Sequence, residues 1–201
     1  NTPILESTIK KIEQIIKKEK NKIVVFSDFR HGIFNKFTSK KFVSIIRNSC
    51  FKVADSQVAS RWGNISDFKN FELITPTERE ARYSLFEQDT PIRNLIGNLV
   101  KKSKSKNVIL KLGERGLISM SQKKNDYIAL DPFVNNMVDS NGAGDALLAY
   151  SSSALYLTKS LIISSILGAI AASCKCETRG NLPISIDQVI NKLNEIEKRY
   201  E

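Results

Sequence analysis

The chain has 201 residues, with 31 Lys+Arg against 21 Asp+Glu and a formal charge of +10. That length holds one domain with a core large enough to fold without disulfide or zinc staples, and the mixture of apolar and charged residues excludes disorder, collagen and a small secreted scaffold. Three cysteines without a CxxC pair and a single histidine, His31, exclude a Cys/His zinc site and make a reducing cytoplasm the expected compartment.

Ile9, Ile12, Ile15 and Ile16 recur at helical spacing and predict an opening helix, amphipathic rather than shaped like a secretory signal. The β-branched run 22–27 predicts a strand ending in Ser27-Asp28. A helix over 39–48, strands over 51–54 and 72–75, and a helix over 77–86 continue the alternation. A helix over 92–102 then leads into an apolar strand over 107–112, the turn 113–116 and two hairpin strands over 117–120 and 127–130. Helices over 143–157, 161–174 and 186–198 complete the chain. This is the rhythm of an α/β sheet, and with no linker or repeat in view a single domain over 1–201 is expected.

The positive charge is spread rather than striped. Lys10, Lys11, Lys17, Lys18 and Lys20 are mixed with Glu6, Glu13 and Glu19, the pattern of a solvated helix face, and Lys101, Lys102, Lys104 and Lys106 follow a helical run whose C-terminal dipole favours them. No nucleic-acid partner is expected. Between 146 and 174 the only charge is Lys159, but neither half supplies the ~20 uninterrupted apolar residues that span a bilayer. Serines at 151–153, 160, 164 and 165 dilute the stretch further, so two buried helices are expected and no membrane partner.

In open parallel sheets ligands sit beyond the C-terminal strand ends, here Ser27-Asp28, Asp55-Ser56, Thr75-Pro76-Thr77-Glu78 and Lys111-Leu112-Gly113. The most informative stretch lies elsewhere, at Asp139-Ser140-Asn141-Gly142-Ala143-Gly144-Asp145, which runs straight into an apolar helix. Small residues at a helix start leave amides approachable by an anion at the positive end of the dipole. An aspartate one residue further in fits a general base that takes a proton from an attacking hydroxyl while the amides of Gly142, Ala143 and Gly144 stabilise a transferring phosphoryl group. The same residues also suit a structural glycine turn with Asp145 complementing the dipole.

The stretch 139–145 resembles the C-terminal signature of the ribokinase-like (PfkB) carbohydrate kinases, D-T-x-G-A-G-D, with Ser140 in place of the threonine. Thr75-Pro76-Thr77-Glu78 is similar to the family's N-x-x-E element, with Thr75 for the asparagine, and Ile109-Leu110-Lys111-Leu112-Gly113-Glu114-Arg115-Gly116 resembles its strand and G-x-x-G turn. The resemblance implies a ribokinase-like, mostly parallel sheet flanked by helices, and it covers the family's C-terminal two-thirds, without the N-terminal sugar-binding and lid segment. It also implies ATP-dependent phosphorylation of a sugar or sugar-phosphate hydroxyl. Asp145 is then the base, Gly142, Ala143 and Gly144 the anion hole, and Lys111, Gly113, Gly116 and Asn141 the flank of the nucleotide. Gly180 and Asn181 fall where the family makes its adenine pocket, and Glu78 matches the carboxylate that helps hold Mg²⁺. Glu78 also reads as the third residue of a capping box begun by Thr75, and 113–116 as a plain hairpin turn.

Ser27-Asp28-Phe29 and the stretch 74–82 look most like the kinase half of lipopolysaccharide heptose kinases, which makes a heptose phosphate the substrate to test. The alternative is a catalytically inactive ribokinase-like module that binds nucleotide or a partner; a homodimer is compatible with either. His31 reads as a solvated loop histidine, and Cys174 and Cys176 as small buried hydrophobes.

Overall fold

A β-branched and aromatic run puts residues 23–28 into an extended strand whose period of two buries Phe26 and Asp28. The computed structural model describes residues 4–18, 23–46, 50–58, 64–124, 126–180 and 182–199. Within them the order is α1 (Glu6–Lys18), β1 (Ile23–Asp28), α2 (Lys36–Ile45), β2 (Phe51–Ser56), β3 (Leu73–Ile74), α3 (Glu78–Leu85), α4 (Ile92–Ser103) and β4 (Asn107–Lys111). β5 (Leu117–Ser121), β6 (Tyr127–Leu130), α5 (Ala143–Thr158), α6 (Leu161–Cys176) and α7 (Ile186–Glu197) follow.

The six strands form one sheet in sequence order, and β1 to β4 run parallel. β4 and β5 are antiparallel: Leu112 N–H donates to Gly116 O and Gln122 N–H to Lys106 O, two bonds whose residue numbers share one sum. The expected α/β architecture, a mostly parallel sheet flanked by helices, is the one found. By compactness the chain divides into two units, Asn1–Leu110 with Met120–Asp126, and Lys111–Ser119 with Tyr127–Glu201.

The first unit is built around an aromatic cluster. Phe26 of β1 meets Phe34, Phe68 and Phe71 at centroid separations of 5.6, 5.7 and 5.7 Å, and Phe42 of α2 joins through Phe34. The register of β1 and β2 sets Asp28 beside Ser56, whose hydroxyl donates to Asp28 Oδ2 at 2.8 Å. Arg30 completes this buried group. Its backbone N–H donates to Asp28 Oδ1 at 2.9 Å and its Nη1 to Oδ2 at 2.7 Å, from a left-handed φ of 62°. Replacing Arg30 by Met strands a carboxylate that is 2% exposed. The expected cost is about 3 kcal/mol, read as a lower urea midpoint with an unchanged m-value.

In the second unit α5 and α6 are joined by Lys159 in the left-handed conformation and Ser160 as N-cap. Their seam is made of small residues. A Cβ on Gly168 would stand 3.0 Å from Ser151 Cβ and 3.3 Å from the Leu147 carbonyl oxygen, so the helices meet almost backbone to backbone. The serines that dilute the apolar stretch are absorbed there: Ser164 Oγ donates to Ser151 O at 2.8 Å and Ser165 Oγ to Ser119 Oγ at 2.9 Å. Among the described residues no helix is long and apolar enough to cross a membrane. Ile170, Ala171, Cys174 and Val189 form the core against α7.

Candidate active site

The second unit brings together two of the elements singled out in the sequence. Lys111 is the last residue of β4, and the chain then makes a 3₁₀ turn over Gly113–Arg115, closed by Gly116 N–H donating to Gly113 O at 3.0 Å. Both glycines are required by the backbone, since Gly113 has φ 64° and Gly116 φ 76°. A Cβ on Gly113 would meet nothing within 4 Å, so this side of the turn is open to an approaching molecule. Gly116 is the opposite case. A Cβ there would overlap the Leu130 carbonyl oxygen, so strand β6 packs directly on the turn.

α5 begins as expected at Ala143, with Gly142 as N-cap in the left-handed region (φ 81°, ψ 0°) and Asp145 in the first turn. The amides are not equivalent. Ala143 N–H donates to Ser140 O at 3.2 Å, whereas those of Gly142 and Gly144 meet no acceptor among the described residues. A three-amide anion hole is therefore reduced to two available donors, because the Ser140 turn takes the middle one. Upstream, Asn141 N–H donates to Asp139 Oδ1 at 3.0 Å, and the Cys176 carbonyl accepts from Val138 and Asp139 N–H at 2.8 and 3.0 Å.

Lys111 and this helix start converge. Lys111 Nζ lies 3.3 Å from where a Gly144 Cβ would stand. A lysine ammonium beside the positive end of a helix dipole is an arrangement suited to receiving an anion. Asp145 is exposed, so its carboxylate reaches solvent rather than the core.

Gly180 follows α6 in the left-handed region with open space beside its Cα, and its carbonyl accepts from Nζ of the buried Lys175. Asn181 lies outside the described residues. Burial, the largest cause for each, pushes the Cys174 and Cys176 thiols up, so both stay protonated at neutral pH and serve as packing groups, as expected. Exposed Met137 and Val138 lie before the signature and exposed Leu182 after Gly180. His31 is exposed and stacks on Phe29 at 6.5 Å.

In the first unit the β3–α3 junction differs in detail from the sequence reading. The capping box lies two residues further on: Thr77 N–H donates to Glu80 Oε2 at 2.7 Å and Glu80 N–H to Thr77 Oγ1 at 3.2 Å. Thr75 and Glu78 form no such box. Glu78 opens α3 and pairs with Arg82, whose Nε and Nη2 reach Oε1 at 2.8 and 2.7 Å. Glu80 is a buried carboxylate that the sequence reading passed over, although the T-x-x-E spacing from Thr77 was available to find it. Thr75 is fully buried and its Oγ1 has no hydrogen-bond partner among the described residues. Hard oxygen donors of this kind suit Mg²⁺, which takes one or two carboxylates and keeps water or phosphate for the rest. Among the described residues no cluster of three or more His, Cys, Asp or Glu could hold a metal.

The model of the pfkB family carbohydrate kinases matches residues 5–187. The chain belongs to that family. Solved structures agree on the fold: phosphofructokinase-2 from Escherichia coli in complex with potassium superposes with a TM-score of 0.83 at 19% identity, over 97% of this chain and 64% of that one. Ribokinase from Arabidopsis thaliana, complexed with ribose and ATP, gives 0.72 at 19% identity over 96% and 60%. Ribokinase from Thermotoga maritima gives 0.73 at 20% identity over 90% and 59%. The chain thus spans less than two thirds of the length of these family members. No curated protein matches it significantly.

Proposed function

We propose that the protein is an ATP-dependent kinase of a sugar or sugar-phosphate hydroxyl, with residues 1–201 belonging to one ribokinase-like domain. The observation that carries this reading is the Lys111 ammonium set against the Gly144 end of α5. A cation, two available amides and a helix dipole at one point make a phosphate receptor, and family membership supplies the reaction class. The Gly142 and Gly144 amides and Lys111 bind the phosphoryl group, while the open side of the Gly113 turn and Asn141 flank the nucleotide. Gly180 and Asn181, with the exposed Met137, Val138 and Leu182, border the base.

Asp145 takes the proton of the acceptor hydroxyl as its oxygen attacks the γ-phosphorus. The bond from that phosphorus to the bridging oxygen breaks, and ADP leaves with the electron pair. Glu78, at the acidic start of α3, is the carboxylate to hold Mg²⁺, in competition with Arg82. When bound, the metal supplies charge neutralisation on the phosphates.

Within the substrate class we favour a heptose phosphate, on the likeness of Ser27-Asp28-Phe29 and of 74–82 to heptose kinases. The test is a screen of sugars and sugar phosphates for coupled ADP release by the intact gene product, beside calorimetry with ATP. Sugar-dependent release is expected. ATP binding with no release on any sugar would select the non-catalytic module instead.

A further inference from the structure

The stretch 131–142 has no helix or strand, yet it delivers Gly142 and Asp145 in one orientation. Its anchor is the C-terminal end of α6. The Cys176 carbonyl holds the amides of Val138 and Asp139, and one residue on, the Glu177 carboxylate accepts from Asn135 N–H at 2.6 Å.

A carboxylate is misplaced there on general grounds. Glu177 is the C-cap of a 16-residue helix, whose last carbonyls carry the negative end of the dipole, and its charge adds to burial in pushing the neighbouring Cys176 thiol up. Lys192 on α7 offsets this. Its Nζ donates to both Glu177 oxygens, at 2.6 and 2.8 Å, and the residue is only 4% exposed. A lysine taken out of water needs a counter-charge, and Glu177 is the carboxylate it meets. The turn after α7 adds a second tie, from Arg199 Nη2 to Asn135 Oδ1 at 2.9 Å. One acid therefore links α6, α7 and the segment that enters the candidate active site, and no local folding rule asks for it.

We infer that Glu177, held in place by Lys192, is a positioning residue for the 135–141 segment, and so sets the direction in which Gly142 and Asp145 are presented. The inference rests on the kinase reading for its catalytic consequence only. Glu177→Gln keeps an oxygen for the Asn135 amide but loses the charge pair, and the double variant Glu177→Gln/Lys192→Met leaves no charge stranded in the core, so it folds even where the single variant does not.

The experiment is amide hydrogen exchange on the full chain without substrate, normalised to Ile170 and Ala171 in the α6 core. Exchange over 135–144 should speed up roughly 10- to 100-fold in both variants, the range that the loss of a charge-assisted hydrogen bond gives. With a sugar acceptor in hand, kcat should fall about tenfold while KM for ATP moves less than about twofold, the split expected when groups that act in the transition state are misdirected. Exchange over 135–144 that changes only in step with the core, or that returns to the wild-type rate in the double variant, would overturn the inference. An intact gene product that transfers no phosphate to any sugar would overturn the kinase reading, and the exchange result would still decide the role of Glu177.

Discussion

Asp145→Asn should lower turnover by roughly 10²- to 10⁴-fold, the contribution usual for a positioned general base, and leave ATP affinity within a few-fold of wild type. The amide is isosteric and residue 145 is itself exposed in the first turn of α5, so the fold should survive. It cannot accept the hydroxyl proton, so the deficit should appear in the chemical step. Single-turnover ADP release measured beside calorimetric ATP binding separates the two quantities. Equal turnover in both proteins would remove Asp145 from the proton transfer. Loss of ATP binding instead would mean that the carboxylate organises the helix start, through the dipole, rather than the reaction.

Gly116→Ala should be the most damaging single methyl group in the chain. The backbone there has φ 76° and ψ −129°, a region almost reserved for glycine, and the new Cβ would overlap the Leu130 carbonyl oxygen and stand 3.0 Å from the carbonyl carbons of Leu130 and Asp131. Backbone cannot step aside as a flexible side chain can. We expect a loss of about 3 kcal/mol or more, or roughly 6–12 °C in Tm for a chain of this size. Gly113→Ala is the control. It has a similar φ of 64° but open space, so it should cost only about 1 kcal/mol of backbone strain. Equal losses in the two variants would show that strain, not the packing of β6 on the turn, dominates.

Elements with a strong period were legible in the sequence to within a few residues. α4 starts at Ile92 and β6 covers 127–130 as predicted, because apolar spacing and turn residues act locally. α2 begins three residues before the expected 39, since Asn35 accepts from the Phe37 and Thr38 amides, a capping signal that was present but unread. β3 is only Leu73–Ile74, against an expected 72–75. The helix start at Gly142 was legible because the signature is contiguous. Its Ser140 turn was not, nor was the nearness of Lys111 to Gly144, which are 33 positions apart in the chain and meet only through tertiary folding. The Glu78–Arg82 pair has ordinary i,i+4 spacing and could have been read, whereas Glu177–Lys192 joins two helices and follows no period.

The seam between α5 and α6 reaches further than packing. With Gly168 pressed against the Leu147 carbonyl, α5 has no room to turn about its own axis, and a methyl group added at 168 would have to roll it. Asp145 sits two residues before Leu147 on the same helix, so this contact restrains the rotation of α5 that carries its carboxylate, while the 135–141 segment governs how the chain enters it. Added bulk at Gly168, Ser151 or Ser164 should therefore reorient the first turn of α5, residue 145 included, without touching any residue of the candidate site.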